Sequence, residues 1–219
     1  MKNLKRLFLL GGLFLLTGTA TNAELVNGVR QMPEPATTAW TVGSEDTPYY
    51  LYNTSAKMFF TQGNTWGTRG CIGPASTAVK VYCSESFEES GMYYLNDYVI
   101  VNNRLQWRMA CGEAADNSVY TDQNSSWGRP QWVIVPTSGN GFRIQTSSPL
   151  DYENLTPMYM GRDDEVAQDF YNSSNHGQLL DGNKRFPVSV ELTEGDGHHI
   201  DWAIVSAEDY EAIAAEMAA

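Results

Sequence analysis

From residue 49 onward, apolar side chains recur in short runs that alternate with turn-forming residues. Runs rich in aromatic and β-branched residues cover 49–52, 57–60, 79–82, 92–95, 98–101, 132–135, 142–144, 158–160, 188–190 and 202–205. Such runs of about four residues, bounded by Gly, Asn and Asp, predict β-strands. The separators include Thr-Gln-Gly-Asn at 61–64, Ser-Gly-Asn-Gly at 138–141, Asp-Gly-Asn at 181–183 and Glu-Gly-Asp-Gly at 194–197. These supply the backbone freedom that tight turns need. Only the C-terminus carries a helical period. Ser206 and Asp209 have capping-box spacing, and Tyr210, Ile213, Ala214 and Met217 then share one face. The expected architecture is all-β, a barrel, sandwich or trefoil over 24–206, with a short helix over 207–219 packed on it. That helix also reads as the start of a linker to a further domain.

An internal repeat narrows the choice. Phe59 to Gly67 lies over Tyr120 to Gly128 at an offset of 61, matching an aromatic residue, Gln, a hydroxyl residue, Trp and Gly, and the same offset sets Cys71 on Trp132. A looser third copy sets Tyr159 on Tyr120 and 202–205 on 132–135. Aromatic and strand are 12 residues apart in the first two copies and 43 in the third, which places an insertion in the last copy. Three degenerate copies of a strand–loop–strand unit predict a β-trefoil-like barrel, whose units share one core. On this reading Trp132 and Trp202, each followed by three apolar residues, are core residues that approach a common axis along with Cys71.

These residues carry a resemblance. Gln131-Trp132-Val133-Ile134 resembles the Gln-x-Trp signature of ricin B-type β-trefoil lectins, although here Gln and Trp are adjacent. The runs 49–53, 59–60, 66–68 and 202–210 are similar to a module common in exported Bacteroidetes proteins. The resemblance spans roughly 36–212. It implies sugar or glycoprotein binding in shallow loop pockets, without a cofactor, and its motifs are structural, so no lectin sugar site is carried over.

The N-terminus bears on compartment. Lys2, Lys5 and Arg6 precede an apolar stretch from Leu7 to Leu16, and small residues permit cleavage after Ala20 or Ala23. Residues 1–23 therefore read as a signal peptide, too short in its apolar part for the roughly 20 residues that span a bilayer. No Cys follows to anchor a lipid. Export to the periplasm, cell surface or medium is expected, with no transmembrane segment. Without that segment Lys+Arg falls from 14 to 11 against 26 Asp+Glu, and the net charge moves from -12 to -15. Such a chain repels phosphate backbones and anionic membranes, so nucleic acid is not an expected partner. With 42% hydrophobic and 12% aromatic residues it can bury a core. Of three cysteines, Cys71 and Cys83 are the pair placed to form a disulfide, with Cys111 left over; three buried thiols are the other reading.

Candidate chemistry sits in loops. A sugar site needs a flat aromatic face for the C–H side of the ring, and carboxylates or amides for the hydroxyls. Asp122, Asn124 and Trp127 offer both, and Asn64 and Trp66, with Gln62, offer the same without the carboxylate. The competing reading makes Trp66 and Trp127 packing residues that repeat with the fold. The polar insertion from Arg162 to Gly197 is a second candidate. For a metal, alternation along a strand lets only His199 and Asp201 converge, too few ligands for zinc, and no calcium-loop spacing is present, so no metal or cofactor is expected. No Gly-x-Ser-x-Gly or phosphate loop occurs, nothing near the cysteines activates a thiol, and no catalytic residue is assigned. Four Asn-x-Ser/Thr triplets, at Asn53, Asn124, Asn154 and Asn172, read as chance. The expected function is a non-catalytic module binding a glycan or glycoprotein; the alternative is a protein–protein adhesion or scaffold module.

Overall fold

A computed structural model describes residues 25–26, 29–30, 49–63, 68–85, 93–101, 104–111, 117–123, 131–146, 150–151, 156–166 and 185–218. The chain divides into two compact units, Met1–Pro33 and Glu34–Ala219. In the first, β1 (Leu25–Val26) pairs antiparallel with β2 (Val29–Arg30). The second is built of antiparallel strands with one short C-terminal helix, an all-β unit.

Its strands are β3 (Tyr49–Asn53), β4 (Met58–Gly63), β5 (Arg69–Gly73), β6 (Val81–Glu85), β7 (Tyr93–Val101), β8 (Arg104–Cys111), β9 (Val119–Gln123), β10 (Gln131–Pro136) and β11 (Phe142–Thr146). They continue with β12 (Leu150–Asp151), β13 (Thr156–Pro157), β14 (Tyr159–Asp163), β15 (Phe186–Pro187), β16 (Ser189–Leu192), β17 (His198–His199) and β18 (Trp202–Ser206). The main sheet runs β10-β11-β18-β3-β4-β5-β9-β8-β7-β6 and curls, so that β10 also meets β7 and β3 also meets β6. Outside this path β15 lies on β5, and β14 is flanked by β16 and β17.

The curl has a simple cause. Strands β3, β5 and β18 are buried along nearly their whole length, and a right-handed twist accumulated from strand to strand curls the sheet so that its apolar side chains meet. Leu51, Phe60, Ile72, Val119, Trp132, Phe142, Ile144, Met160, Trp202 and Ile204 meet in one cluster. Trp132 and Trp202 are both 0% exposed, as their sequence context predicts, and Cys71 is equally buried. A buried indole needs an acceptor for its N–H. Trp202 donates to the Met160 carbonyl at 2.8 Å, where the β14–β16 register slips between Tyr159 and Gly161.

The outer side of β3 and β4 carries the helix (Ala207–Ala218). Asp209 N–H donates to Ser206 Oγ at 3.1 Å, and that hydroxyl donates to the Asp209 carboxylate at 2.8 Å, which caps the first turn. Tyr210 stacks on Tyr50 at 3.7 Å, meets Phe59 edge-on at 5.5 Å and donates to the Ala75 carbonyl at 2.5 Å. Ile213 is buried on the same side.

Several expectations are corrected here. The runs 92–95 and 98–101 are one continuous strand, β7, because Asn96 and Asp97 pair with Arg108 and Trp107 instead of turning. Residues 61–63 are not a turn but the end of β4, paired with 69–71. The run 79–82 enters its strand only at Val81. Strands β5, β8 and β9 carry no run in the pattern above; β5 is interrupted by Gly70, whose missing side chain lets Val119 and Phe60 approach within about 3 Å of where a Cβ would stand. The offset of 61 superposes β4 on β9 and β5 on β10, strands with different neighbours, so that register of the repeat does not follow the strand pairing. Cys71 and Cys83 are buried thiols, not a disulfide. Part of the insertion belongs to the core: Val188, Val190 and Leu192 are buried, and Phe186 and Pro187 pair with Ile72 and Cys71.

Candidate functional site

Strand pairing gathers the roots of three segments that the sequence singles out. Segment 64–67 connects Gly63 of β4 to Thr68 before β5, and segment 124–130 leaves from Gln123 of β9. The two roots are tied together. Thr121 N–H donates to the Thr68 carbonyl at 2.8 Å, and its hydroxyl donates to the same oxygen at 3.0 Å. Gln62 Nε2 donates to Thr121 Oγ1 at 2.8 Å. The third segment, 167–184, returns at Arg185, whose Nη1 donates to the Gln62 carbonyl. Thr121 is buried and saturated as donor and acceptor, which makes this junction a rigid frame.

Of the residues predicted to bind a ligand, Asp122 lies in β9 beside this junction. Asn64, Trp66, Asn124 and Trp127 lie outside the described residues. The topology nonetheless answers one question that their spacing left open. The two loop sites and the end of the insertion are not remote rivals, because their roots share one hydrogen-bonded frame. Sequence reasoning singled out Arg185 among the polar residues of the insertion but missed Thr68 and Thr121 as parts of this frame. Their places in the frame come from partners more than 50 residues away, which no local pattern encodes.

A second polar network lies where the insertion leaves β14. Arg162 Nη2 pairs with Asp164 Oδ1 at 3.0 Å, and the same oxygen lies 3.0 Å from His199 Nε2. The Arg162 guanidinium sits 3.8 Å from the centre of the Phe186 ring. Nearby along β11, Arg143 Nε donates to Asp201 at 2.8 Å, Nη1 donates to Glu194, and the guanidinium lies 5.0 Å from the Tyr159 ring centre. The hydrogen bond to Asp201 above all holds the Arg143 pKa above its ordinary value, so this cation stays charged. Asn53, fully buried, donates to the His199 carbonyl at 2.9 Å and accepts from Ala56 N–H at 2.9 Å, fixing the network to the β3–β4 turn.

The convergence of His199 and Asp201 does not occur. Asp164 takes the imidazole and Arg143 takes the Asp201 carboxylate, while His198 Nδ1 lies 2.9 Å from the Thr193 carbonyl. Each group is already used within the fold. Among the described residues no group of three or more His, Cys, Asp or Glu is arranged to hold a metal ion. Among them, too, no helix is long and apolar enough to cross a membrane.

No family model matches the sequence, and no curated protein matches it. Among solved structures, a chain from the crystal structure of a complex of a BBKI mutant with bovine trypsin is similar at 12% identity and a TM-score of 0.45, over 77% of this chain and 94% of that one.

Proposed function

We propose that the chain is an exported, non-catalytic module that binds a glycan or glycoprotein through the loops rooted at Thr68, Thr121 and Arg185, on a β-trefoil-like scaffold resembling the ricin B-type lectins. The scaffold reading draws on the pairing pattern. Strands β3, β6, β7, β10, β11 and β18 are each bonded to the next, and β18 returns to β3. Each of the three stretches between them contributes an antiparallel pair: β4 with β5, β8 with β9, and β14 with β16. This is the pattern expected of three four-strand units, with boundaries near 49–85, 93–136 and 142–206. In this register Trp132 and Trp202 are equivalent last-strand residues, and Cys71 belongs to an inner pair.

The functional reading is carried by one observation: residue types suited to sugar recognition occur on segments whose roots share a single rigid frame. Shallow sugar sites have few contacts, and positioning them on a rigid scaffold limits the ordering cost of binding. The scaffold-module alternative is weakened because the helix already spends Tyr210 and Ile213 on its own sheet.

The test is a glycan-array screen of the mature chain, followed by calorimetry with the best hit. Asp122→Ala and Trp127→Ala are each expected to abolish measurable binding, since losing one stacking face or one charged acceptor, about 1–3 kcal/mol, removes most of a weak affinity. Asp122→Ala is expected to leave the melting temperature nearly unchanged. Absence of selective glycan hits would sink the reading. Unfolding of Trp127→Ala would make Trp127 a packing residue.

A further inference from the structure

We infer that a second copy of this chain pairs with it edge to edge, antiparallel and about a two-fold axis, through Tyr98–Val101 of β7; this contact is separate from the loops of the proposed sugar site.

β7 outruns its neighbour on one side. β6 pairs with it from Tyr93 to Asp97 and stops there, at Val81. The residues before Val81 do not carry the pairing on, because they turn to β4: Ala78 bridges Thr61, and Val79 N–H donates to the Phe60 carbonyl at 3.2 Å. On its other side β7 meets β10 at Tyr93 and Tyr94, then β8 as far as Val101, opposite Arg104. β9 reaches along β8 only to Arg108. Beyond Asp97 the two strands therefore run on as a ribbon. The edge of Tyr98–Val101 turned away from β8 has no strand beside it among the described residues. The β3–β4 hairpin shows the contrast, since it ends at Asn53 and Met58, where β18 still pairs with Asn53.

Such an edge is a template for another strand, and a two-stranded ribbon is marginal until further strands join it. Native edges are blunted by charge, proline or bulges. The run Tyr-Val-Ile-Val holds no charge, Gly or Pro, and is aromatic or β-branched throughout. One blunting feature is present, the register shift against β8 between Asp97 and Ile100, which adds local twist and keeps the pairing short.

Charge selects a second copy as the occupant. Asp97 bounds the run on one side, and Arg104 is the first charge on the other. Any antiparallel overlay of the run on itself sets the Asp97 end of each copy beside the Arg104 end of the other. Opposite charges then meet at both ends, with none between them. The two-fold axis closes the contact and leaves a four-stranded sheet, β8-β7-β7-β8, in which neither β7 edge stays open. Repulsion between the two acidic chains is screened beyond about 8 Å at physiological ionic strength.

The test is sedimentation of the mature chain over a roughly hundredfold range of concentration, with hydrogen exchange of the Tyr98–Val101 amides measured at both ends of that range. The expected result is a monomer–dimer equilibrium, with exchange at these amides slowed as dimer forms. Asp97→Arg and Arg104→Asp are each expected to weaken the dimer at least about tenfold, because each sets like charges together at both ends. An equimolar mixture of the two variants restores opposite charges at both ends, so a heterodimer is expected from two chains that self-associate poorly. Loss of folding cannot imitate that rescue, and the exchange data on the parent need no variant at all. A chain that stays monomeric throughout overturns the inference, whether its own residues protect these amides or they remain open to a different partner. A dimer that persists in both single variants, or that leaves exchange at Tyr98–Val101 unchanged, has its contact elsewhere and overturns it too.

Discussion

Replacing Trp202 with Phe separates the two things this side chain does. Trp202 is wholly buried in the main cluster, and its indole N–H donates at 2.8 Å to the carbonyl of Met160. That carbonyl lies where the β14–β16 register slips, so the ladder does not supply its partner in the regular way. Phe keeps an aromatic ring in the core but has no donor. The Met160 carbonyl is then buried without its acceptor role filled, at about 1–3 kcal/mol. The smaller ring adds a packing loss on the order of 1 kcal/mol. The expected cost of Trp202→Phe is therefore about 2–4 kcal/mol, close to the roughly 3–5 kcal/mol expected of Trp202→Ala. A domain of this size has about 5–15 kcal/mol to lose, so the Phe variant remains folded and measurable. Urea unfolding followed by far-UV circular dichroism gives the comparison, with an unchanged m-value showing that the denatured state is unaffected. If Trp202→Phe is within about 0.5 kcal/mol of the parent while Trp202→Ala is severe, the indole acts by volume alone and the carbonyl-capping argument is wrong.

Two further perturbations test other joints of the fold. A Cβ on Gly161 would stand 2.2 Å from the His199 carbonyl oxygen, a backbone atom that cannot rotate away. Gly161→Ala should thus force β14 and β17 apart and cost about 2–3 kcal/mol or more by denaturant titration; a neutral variant would mean that the two strands separate freely. Burial, reinforced by Tyr210 and Glu211, pushes the Tyr50 phenol up to about 12. The fold therefore favours the protonated phenol, and this stabilisation is complete below pH about 10 and lost as pH rises from there through about 12. Burial raises the Tyr210 phenol as well, so tyrosinate absorbance should show more than one late-titrating group, of which one disappears in Tyr50→Phe; loss of a group titrating near 10 instead would contradict the burial argument.

What the sequence alone determined follows from interactions that are local or collective. Short apolar runs between turn residues made an all-β chain legible, because side-chain alternation and turn chemistry act over a few residues. The capped helix was readable for the same reason, through Ser206, Asp209 and the face of Tyr210 and Ile213. The burial of Trp132 and Trp202 followed from their apolar neighbours. Tertiary structure decided everything that depends on which strand lies beside which. No apolar run marked β5, yet it sits at the centre of the sheet, where the close approach of Val119 and Phe60 requires the side chain that Gly70 lacks. Alternation predicted a shared strand face for His199 and Asp201, but Asp201 lies between β17 and β18, and Asp164 and Arg143, brought in from elsewhere, draw the two to separate partners. The frame at Thr68, Thr121, Gln62 and Arg185 joins residues 53 to 123 positions apart. No periodicity encodes such a meeting, because its free energy comes from contacts that exist only after the chain has closed its long loops.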